Sequence, residues 1–223
     1  MTWTDSDKIE KKKKNGRTVG VDFGIETSFT TSDGEKIQAA VREQERIKRL
    51  QRKLAKQTKG SRRWWRTVRL LRIEYQKLTN RKDDLANKII AAFTENTITV
   101  IQDEMLQHWQ KGWFGKQVQH SALGRVKAGL KDRDDVAVLC RSLPTTRLCT
   151  NCGKLNDVPL DKRTCGCDCG IPDEDRDTHS AQSMVWLYEH NVGVGRTKMT
   201  RGEIRDAVEK ALAESADSAA KDR

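Results

Sequence analysis

No stretch of this 223-residue sequence approaches the length of apolar run that spans a bilayer, which excludes a membrane-spanning helix. The opening residues, with Lys11 to Lys14 in a polar stretch, also lack the apolar segment of a signal peptide. These absences predict a cytoplasmic, nucleoid-associated protein with no membrane partner. Hydrophobic residues make up only 35% of the chain, enough to bury one ordinary core and a small appended module but not several large domains. Acidic side chains are in deficit, 32 against 43 Lys and Arg, and the resulting net charge of +11 points to a polyanionic partner. The six cysteines are not spread like a disulfide framework. Cys140 stands in an apolar run and the other five fall between Cys149 and Cys169, a clustering that reads as metal binding in a reducing compartment.

Residues 1–16 are polar and charged, which predicts a basic, disordered leader. From Thr18 the pattern changes: Val19, Val21 and Phe23 alternate with Gly20, Asp22 and Gly24, and a second run from Phe29 to Ser32 ends in the turn pair Asp33-Gly34. Two antiparallel strands are expected to open the fold. Residues 36–95 switch to helical spacing, with Ile47, Leu50 and Leu54 on one stripe and Val68, Leu71, Tyr75, Leu78, Leu85 and Ile89 on another. Lys59-Gly60-Ser61 separates the two, giving a helical hairpin. Between Arg42 and Lys82 there are 16 Lys and Arg against three acidic residues, a local charge of +13 that exceeds the charge of the whole chain.

Ile98 to Ile101 reads as a buried strand running into Gln102-Asp103-Glu104. A basic helical stretch is expected from about Gly115 to Lys131, a second buried strand over Val136 to Leu139, and a helix from Asp177 to His190. Thr200 with Glu203 makes a capping box for a last helix. The order of elements is that of an α/β domain with insertions.

Two groups of residues carry chemistry. Cys149-Thr150-Asn151-Cys152-Gly153 forms one metal knuckle, and Cys165, Cys167 and Cys169-Gly170 supply a second. Two tight turns that each present two thiolates match the tetrahedral demand of a structural zinc ion. Cys167 with Cys169 is the favoured second pair, and Cys165 is the alternative fourth ligand, because position 166 is Gly where a Cys would be expected. The second group is acidic. Asp22 lies inside a strand, where a carboxylate is costly unless a cation compensates it, Glu104 ends another strand, and Asp177 opens a helix. Three such carboxylates can converge on a two-metal site for phosphodiester hydrolysis, although Asp177 also fits a helix N-terminal acid and Glu104 a solvated strand end.

Val19-Gly20-Val21-Asp22-Phe23-Gly24, Val100-Ile101-Gln102-Asp103-Glu104-Met105-Leu106, the Cys149/Cys152 knuckle and Asp175-Arg176-Asp177-Thr178-His179-Ser180-Ala181 together resemble the three RuvC motifs and zinc ribbon of the TnpB family. These are RNA-guided DNA nucleases of insertion sequences, related to the type V CRISPR effectors. The resemblance implies an RNase H-like (RuvC) core over residues 17–143, with the helical hairpin inserted at about 36–95. It places a zinc ribbon at 144–172, the third-motif helix at 173–199, and a C-terminal helix and tail at 200–223. It implies that Asp22, Glu104 and Asp177 hold two catalytic Mg²⁺ ions, with Asp103 the second choice for the middle position, and that one structural Zn²⁺ sits on the cysteines. DNA and a guide RNA are the implied partners. Members of the family carry an N-terminal β-barrel and helical lobe ahead of the catalytic domain, where this chain begins, so a separate N-terminal module or partner chain is expected.

The glycine-flanked strand followed by Thr27-Ser28 also resembles the phosphate loop of actin-like ATPases, but the second phosphate loop and adenosine motif which that reading needs are missing. A nuclease-silent or truncated nucleic-acid-binding protein is the remaining alternative, and the intact acidic triad argues against it. Arg62, Arg63, Trp64, Trp65 and Arg66 are expected to pair with phosphates and stack on bases, the other reading of the tryptophans being core packing. Lys116, Gln117 and Arg125 are further candidates for substrate contact.

Overall fold

The alternation at the start of the chain does form a strand. In a computed structural model, which describes residues 17–41, 45–159 and 161–221, β1 (Arg17–Phe23) buries Val19, Val21 and Phe23 on one face of a sheet. The leader expected over residues 1–16 lies outside the described residues. β2 (Phe29–Thr31) pairs antiparallel with β1, and β3 (Lys36–Ile37) pairs antiparallel with β2. Three strands therefore open the fold where two were expected. The Asp33-Gly34 turn, with Gly34 at φ +85°, joins β2 to β3, while β1 and β2 are joined across a turn closed by the Gly24 amide on the Ser28 carbonyl at 3.2 Å.

β4 (Thr97–Gln102) lies parallel to β1, with Val19 opposite Thr99 and Val21 opposite Ile101. β5 (Val136–Leu139) lies parallel to β4, which gives a five-stranded mixed sheet of order β3-β2-β1-β4-β5. Alternate strand residues serve opposite layers. On one side Val19, Val21, Phe23 and Ile101 pack with α2 (Arg62–Thr94), through Ala86, Ile89 and Phe93, and with α5 (Leu123–Lys131), through Leu123, Val126 and Leu130. On the other, Val100 and Leu139 pack with α6 (Arg176–Glu189), through Met184 and Leu187, and with α7 (Arg201–Lys221), through Ile204 and Val208. Val21 and Ile101 are fully buried, so truncating Ile101 to Ala would remove about 2 kcal/mol or more of stability.

Gly20 explains how close the second layer comes. A Cβ at this position would overlap the Ala181 carbonyl oxygen, so the α6 backbone lies directly on β1 only because residue 20 has no side chain.

The 33-residue α2 is roughly 50 Å long at 1.5 Å per residue. Its C-terminal half packs on the sheet, while its N-terminal half pairs with α1 (Glu45–Ala55). There the buried Glu74 of α2 accepts ion pairs from Arg46 at 3.2 Å and Lys77 at 3.2 Å. α1 and α2 are the expected hairpin, projecting beyond the core that anchors it. The basic stretch expected as one helix over 115–131 is instead α4 (Gly115–Gln119) and α5, preceded by α3 (Leu106–Lys111). The break arises because backbone groups at 120–122 bond outward: the Ala122 amide reaches the Ala39 carbonyl at 2.9 Å, and the Val41 amide reaches the His120 carbonyl at 2.6 Å. Among the described residues, no helix is long and apolar enough to cross a membrane.

Candidate active site and metal centre

β1 and β4 are adjacent and parallel, so their C-terminal ends lie at the same edge of the sheet. Asp22 is the penultimate residue of β1, and Asp103 and Glu104 follow directly on β4. α6 brings its N-terminal turn, with Asp177, to this edge. Asp175 caps it, its carboxylate accepting the Thr178 amide at 3.1 Å. One turn into the helix, the Ser180 hydroxyl donates to Asp22 Oδ1 at 3.0 Å and lies 3.0 Å from the Thr145 hydroxyl. The close seat of α6 on Gly20 sets that hydrogen bond, since Gly20 and Asp22 share a face of β1.

Burial pushes the Asp22 carboxyl up to about 7, against the hydrogen bond from Ser180, and the negative charges of Asp177 and Glu104 push it further the same way. Glu104 is also raised, by burial first, with Lys127 opposing the shift and Asp103 adding to it. Three carboxylates from three distant segments thus share one electrostatic environment, the condition in which a bound cation is favoured.

Asp103 is placed differently. It pairs with Lys127 at 3.2 Å, with Lys131, and with Arg141 at 3.6 Å, and hydrogen bonding to Lys131 holds its carboxyl below the usual range despite partial burial. Asp103 is satisfied by three cations, while Glu104 next to it is not drawn into those pairs. An open groove of about 520 Å³ runs from Asp103 and Glu104 along Gln107 and Gln110 of α3, with Lys127 and Lys131 on the other wall.

The cysteine knuckles come together as a cluster. The sulfurs of Cys149, Cys152, Cys167 and Cys169 all lie within 4.8 Å of one another, with Cys149 to Cys169 and Cys152 to Cys167 each at 3.6 Å. Four thiolates about 2.3 Å from a central zinc stand about 3.8 Å apart, so this cluster fits a structural zinc site. Cys165 is set apart, buried on β6 (Thr164–Cys165) with its thiol directed at the Glu174 carbonyl. The glycine that follows it, Gly166, sits against the Asp173 carboxylate, which a side chain would displace. β6 pairs antiparallel with β7 (Glu174–Asp175), which leads straight into α6.

His179, one turn into α6, has a defined position. Its Nδ1 lies 2.8 Å from Glu174 Oε1 and its Nε2 2.9 Å from the Leu148 carbonyl oxygen. The imidazole thereby joins the residue before Cys149 to the first turn of α6. Sequence reasoning missed Lys127. It pairs with Asp103 and donates to the Glu104 backbone carbonyl, and only its helical position opposite β4 distinguishes it from the many other lysines.

Of the remaining sequence candidates, Arg62, Arg63 and Arg66 are exposed on the first turns of α2. Trp64 is half-buried and stands edge-on to Trp65 at 4.6 Å, and Trp65 is 55% exposed, so neither belongs to a core cluster. Lys116 and Gln117 are exposed on α4, whereas Arg125 is half-buried and paired with Asp83 of α2.

The OrfB_IS605 family, described as "Probable transposase", matches residues 2–104. A protein of Streptomyces pristinaespiralis named as an RNA-guided DNA endonuclease is 28% identical over 178 residues, covering 75% of this chain and 44% of its own length. A protein of Escherichia coli K12, InsQ, with the same descriptive name is 28% identical over 131 residues, covering 57% of this chain and 33% of its own length. The chain spans less than half the length of each of these curated relatives. The family match spans both Asp22 and Glu104, and together these similarities support membership of the TnpB family.

Proposed function

We propose that this chain is the metal-dependent catalytic core of an RNA-guided DNA endonuclease, with an RNase H-like, RuvC-type sheet. The observation that carries the reading is the convergence of Asp22, Glu104 and Asp177 at the C-terminal edge of two parallel strands, where burial first, and the neighbouring acids after it, lift the Asp22 carboxyl to about 7. The sheet order β3-β2-β1-β4-β5, in which β2 alone runs against the other strands, supports the RNase H-like assignment. In this reading the α1–α2 hairpin is an insertion ahead of β4 and the cysteine module an insertion ahead of α6. The four clustered cysteines hold one structural Zn²⁺.

Asp22, Glu104 and Asp177 are the residues that hold the catalytic magnesium ions. When bound, magnesium supplies Lewis-acid polarisation of the scissile phosphate and a more acidic water. The chain's own residues do the rest. Ser180 fixes the rotation of the Asp22 carboxylate, and Lys127 and Lys131 occupy Asp103, which keeps the middle position with Glu104. The exposed arginines at the start of α2 bind phosphates along the strand, giving affinity without sequence. Sequence is read by pairing with a guide RNA.

Cleavage of single-stranded and duplex DNA with Mg²⁺, with and without co-purified RNA, tests the proposal. Asp22→Ala and Asp177→Ala should each reduce cutting by at least about 10³-fold while binding persists, and Asp103→Ala should retain most of it. Full cutting by Asp22→Ala would overturn the assignment.

A further inference from the structure

Between α3 and α4 the chain makes a turn that the nuclease reading leaves unused. Trp109 before it packs on the first core cluster and Val118 after it is buried, so both ends are anchored. Between them stand Trp113, whose side chain is 101% exposed, and Phe114, 50% exposed. The backbone beneath them is closed. The Gly115 amide reaches the Gly112 carbonyl at 3.0 Å, and the Val118 amide reaches the Phe114 carbonyl at 3.0 Å. A Cβ at Gly115 would overlap the Gln110 carbonyl oxygen, so this tight return needs glycine. An indole held wholly in water on a fixed turn forfeits the burial that normally stabilises it, which marks the site as one that meets a partner.

The surroundings identify the partner's chemistry. α3 begins two residues after Glu104 and rises about 9 Å along its six residues. Its Gln107 and Gln110 line the groove that starts at Glu104, and the aromatic turn follows at the end of that helix. Lys111 and Lys116 are exposed on either side of the turn, and Lys127 and Lys131 flank the groove. An aromatic face among cations is the combination that binds unpaired bases with their phosphates. A protein partner would need a broader apolar patch than two rings ringed by Gln110, Gln117 and lysines.

We propose that Trp113, with Phe114 beside it, is a stacking platform for an unpaired base of the strand that lies along the Glu104 groove, with Lys111 and Lys116 on the adjoining phosphates. The proposal rests on the nucleic-acid side of the nuclease reading. Stacking here would hold the strand one helix length from the carboxylates and favour single strands over duplex, whose bases are already stacked.

The test is fluorescence anisotropy of the full chain, without divalent metal, on a labelled 20-mer of thymidylate, an abasic 20-mer with the same phosphates, and a 20-bp duplex. Trp113→Ala should weaken thymidylate binding about 10-fold, leave abasic and duplex binding within about twofold, and keep the salt slope unchanged. Trp113→Phe should restore most of the loss. Three results would each overturn the proposal: no binding of thymidylate by the unaltered chain, no loss in Trp113→Ala, or an equal loss on the abasic strand. A fall in molecular mass by light scattering in Trp113→Ala would overturn it too, showing the turn to be a contact between copies. Because Trp113 is fully exposed, thermal melting should be unaltered. Cleavage by Asp22→Ala is read separately, so the stacking site and the catalytic assignment can fail independently.

Discussion

Among the described residues, two places have charge or thiol chemistry that invites a metal, and the fold supports them in opposite ways. The carboxylate edge is made of β1, β4 and α6, elements packed into both core clusters, and burying Asp22 and Glu104 there, with acidic neighbours adding to the cost, strains that fold. The thiol cluster is carried on turns whose only neighbouring strands, β6 and β7, are two residues each, with Cys152 and Cys169 exposed. Metal at the first place would relieve a cost the core already bears. At the second it would supply the stability that short turns cannot provide. One edge should therefore stay folded without its ions, and the other should not.

The largest expected effect follows from that contrast. Stripping zinc, or Cys149→Ser, should take metal content from one zinc per chain to none and remove amide protection from residues 149–175. Structural zinc in small modules contributes about 10 kcal/mol or more of apparent binding energy, far above what β6 and β7 alone provide. Amides of β1 and β4 should keep their protection in hydrogen exchange. Loss of protection in the sheet would break the comparison, because the cysteine module would then be part of the core.

Next in size is the strain at Asp22. The folded chain holds a proton on this carboxyl up to about pH 7, while the unfolded chain releases it near 3.8, so stability falls as pH rises through that window. Carrying one carboxyl over that span is worth roughly 4 kcal/mol. Asp22→Asn should therefore be more stable than the unaltered chain at pH 8, with the advantage shrinking towards pH 4, when both are melted in EDTA. Adding Mg²⁺ should stabilise the unaltered chain at pH 8 and leave Asp22→Asn nearly unmoved. Equal pH dependence in the two proteins would show that Asp22 does not carry the strain.

A smaller effect joins the two regions. His179 bridges Glu174 and the Leu148 carbonyl, so it couples the start of the cysteine module to the helix that presents Asp177. His179→Ala should cost about 1–3 kcal/mol in thermal or urea melting, the worth of two hydrogen bonds, one of them to a Leu148 carbonyl that would keep only the longer Ser183 hydroxyl contact at 3.5 Å. It should also reduce magnesium affinity without loss of zinc. Unchanged magnesium affinity would mean that the two regions sit side by side without coupling.

How much of this was legible in the sequence differs between elements. The strands at β4 and β5 and the Thr200/Glu203 capping box were readable because local pattern decides them, and the box is present with the Thr200 amide on Glu203 Oε2 at 2.7 Å and the Glu203 amide on Thr200 Oγ1 at 3.3 Å. The third strand was not readable, since β3 is two residues held by pairing with β2. The break between α4 and α5 was also hidden, because it depends on the backbone of residues 39–41, about 80 positions away. At the acidic edge the residue types were visible, but the separation of Asp103 from Glu104 depends on Lys127, Lys131 and Arg141, which the fold alone brings to Asp103. Cys165 could not be told from Cys167 by spacing, and β6 pairing is what removes it from the cluster.

The smallest expected effect sets the hairpin against the acidic edge. Arg62, Arg63 and Arg66 are exposed, lie within five residues at the start of α2, and carry no ion pair among the described residues. Each phosphate neutralised by such a side chain releases counterion, so the logarithm of the binding constant falls with the logarithm of salt at about 0.7 per contact on single strands. Replacing all three with Gln should lower that slope by about 2, with a modest loss of affinity at physiological salt and a larger one in dilute buffer. Arg125→Gln is the internal control: its pairing with Asp83 predicts little change in slope. Asp22→Asn should leave the slope unchanged in EDTA, because the acidic edge without metal attracts no phosphate. If the arginine triple variant kept the full slope while neutralising Lys127 and Lys131 lowered it, the strand would be held by the groove at Glu104, and the projecting hairpin would serve some other contact.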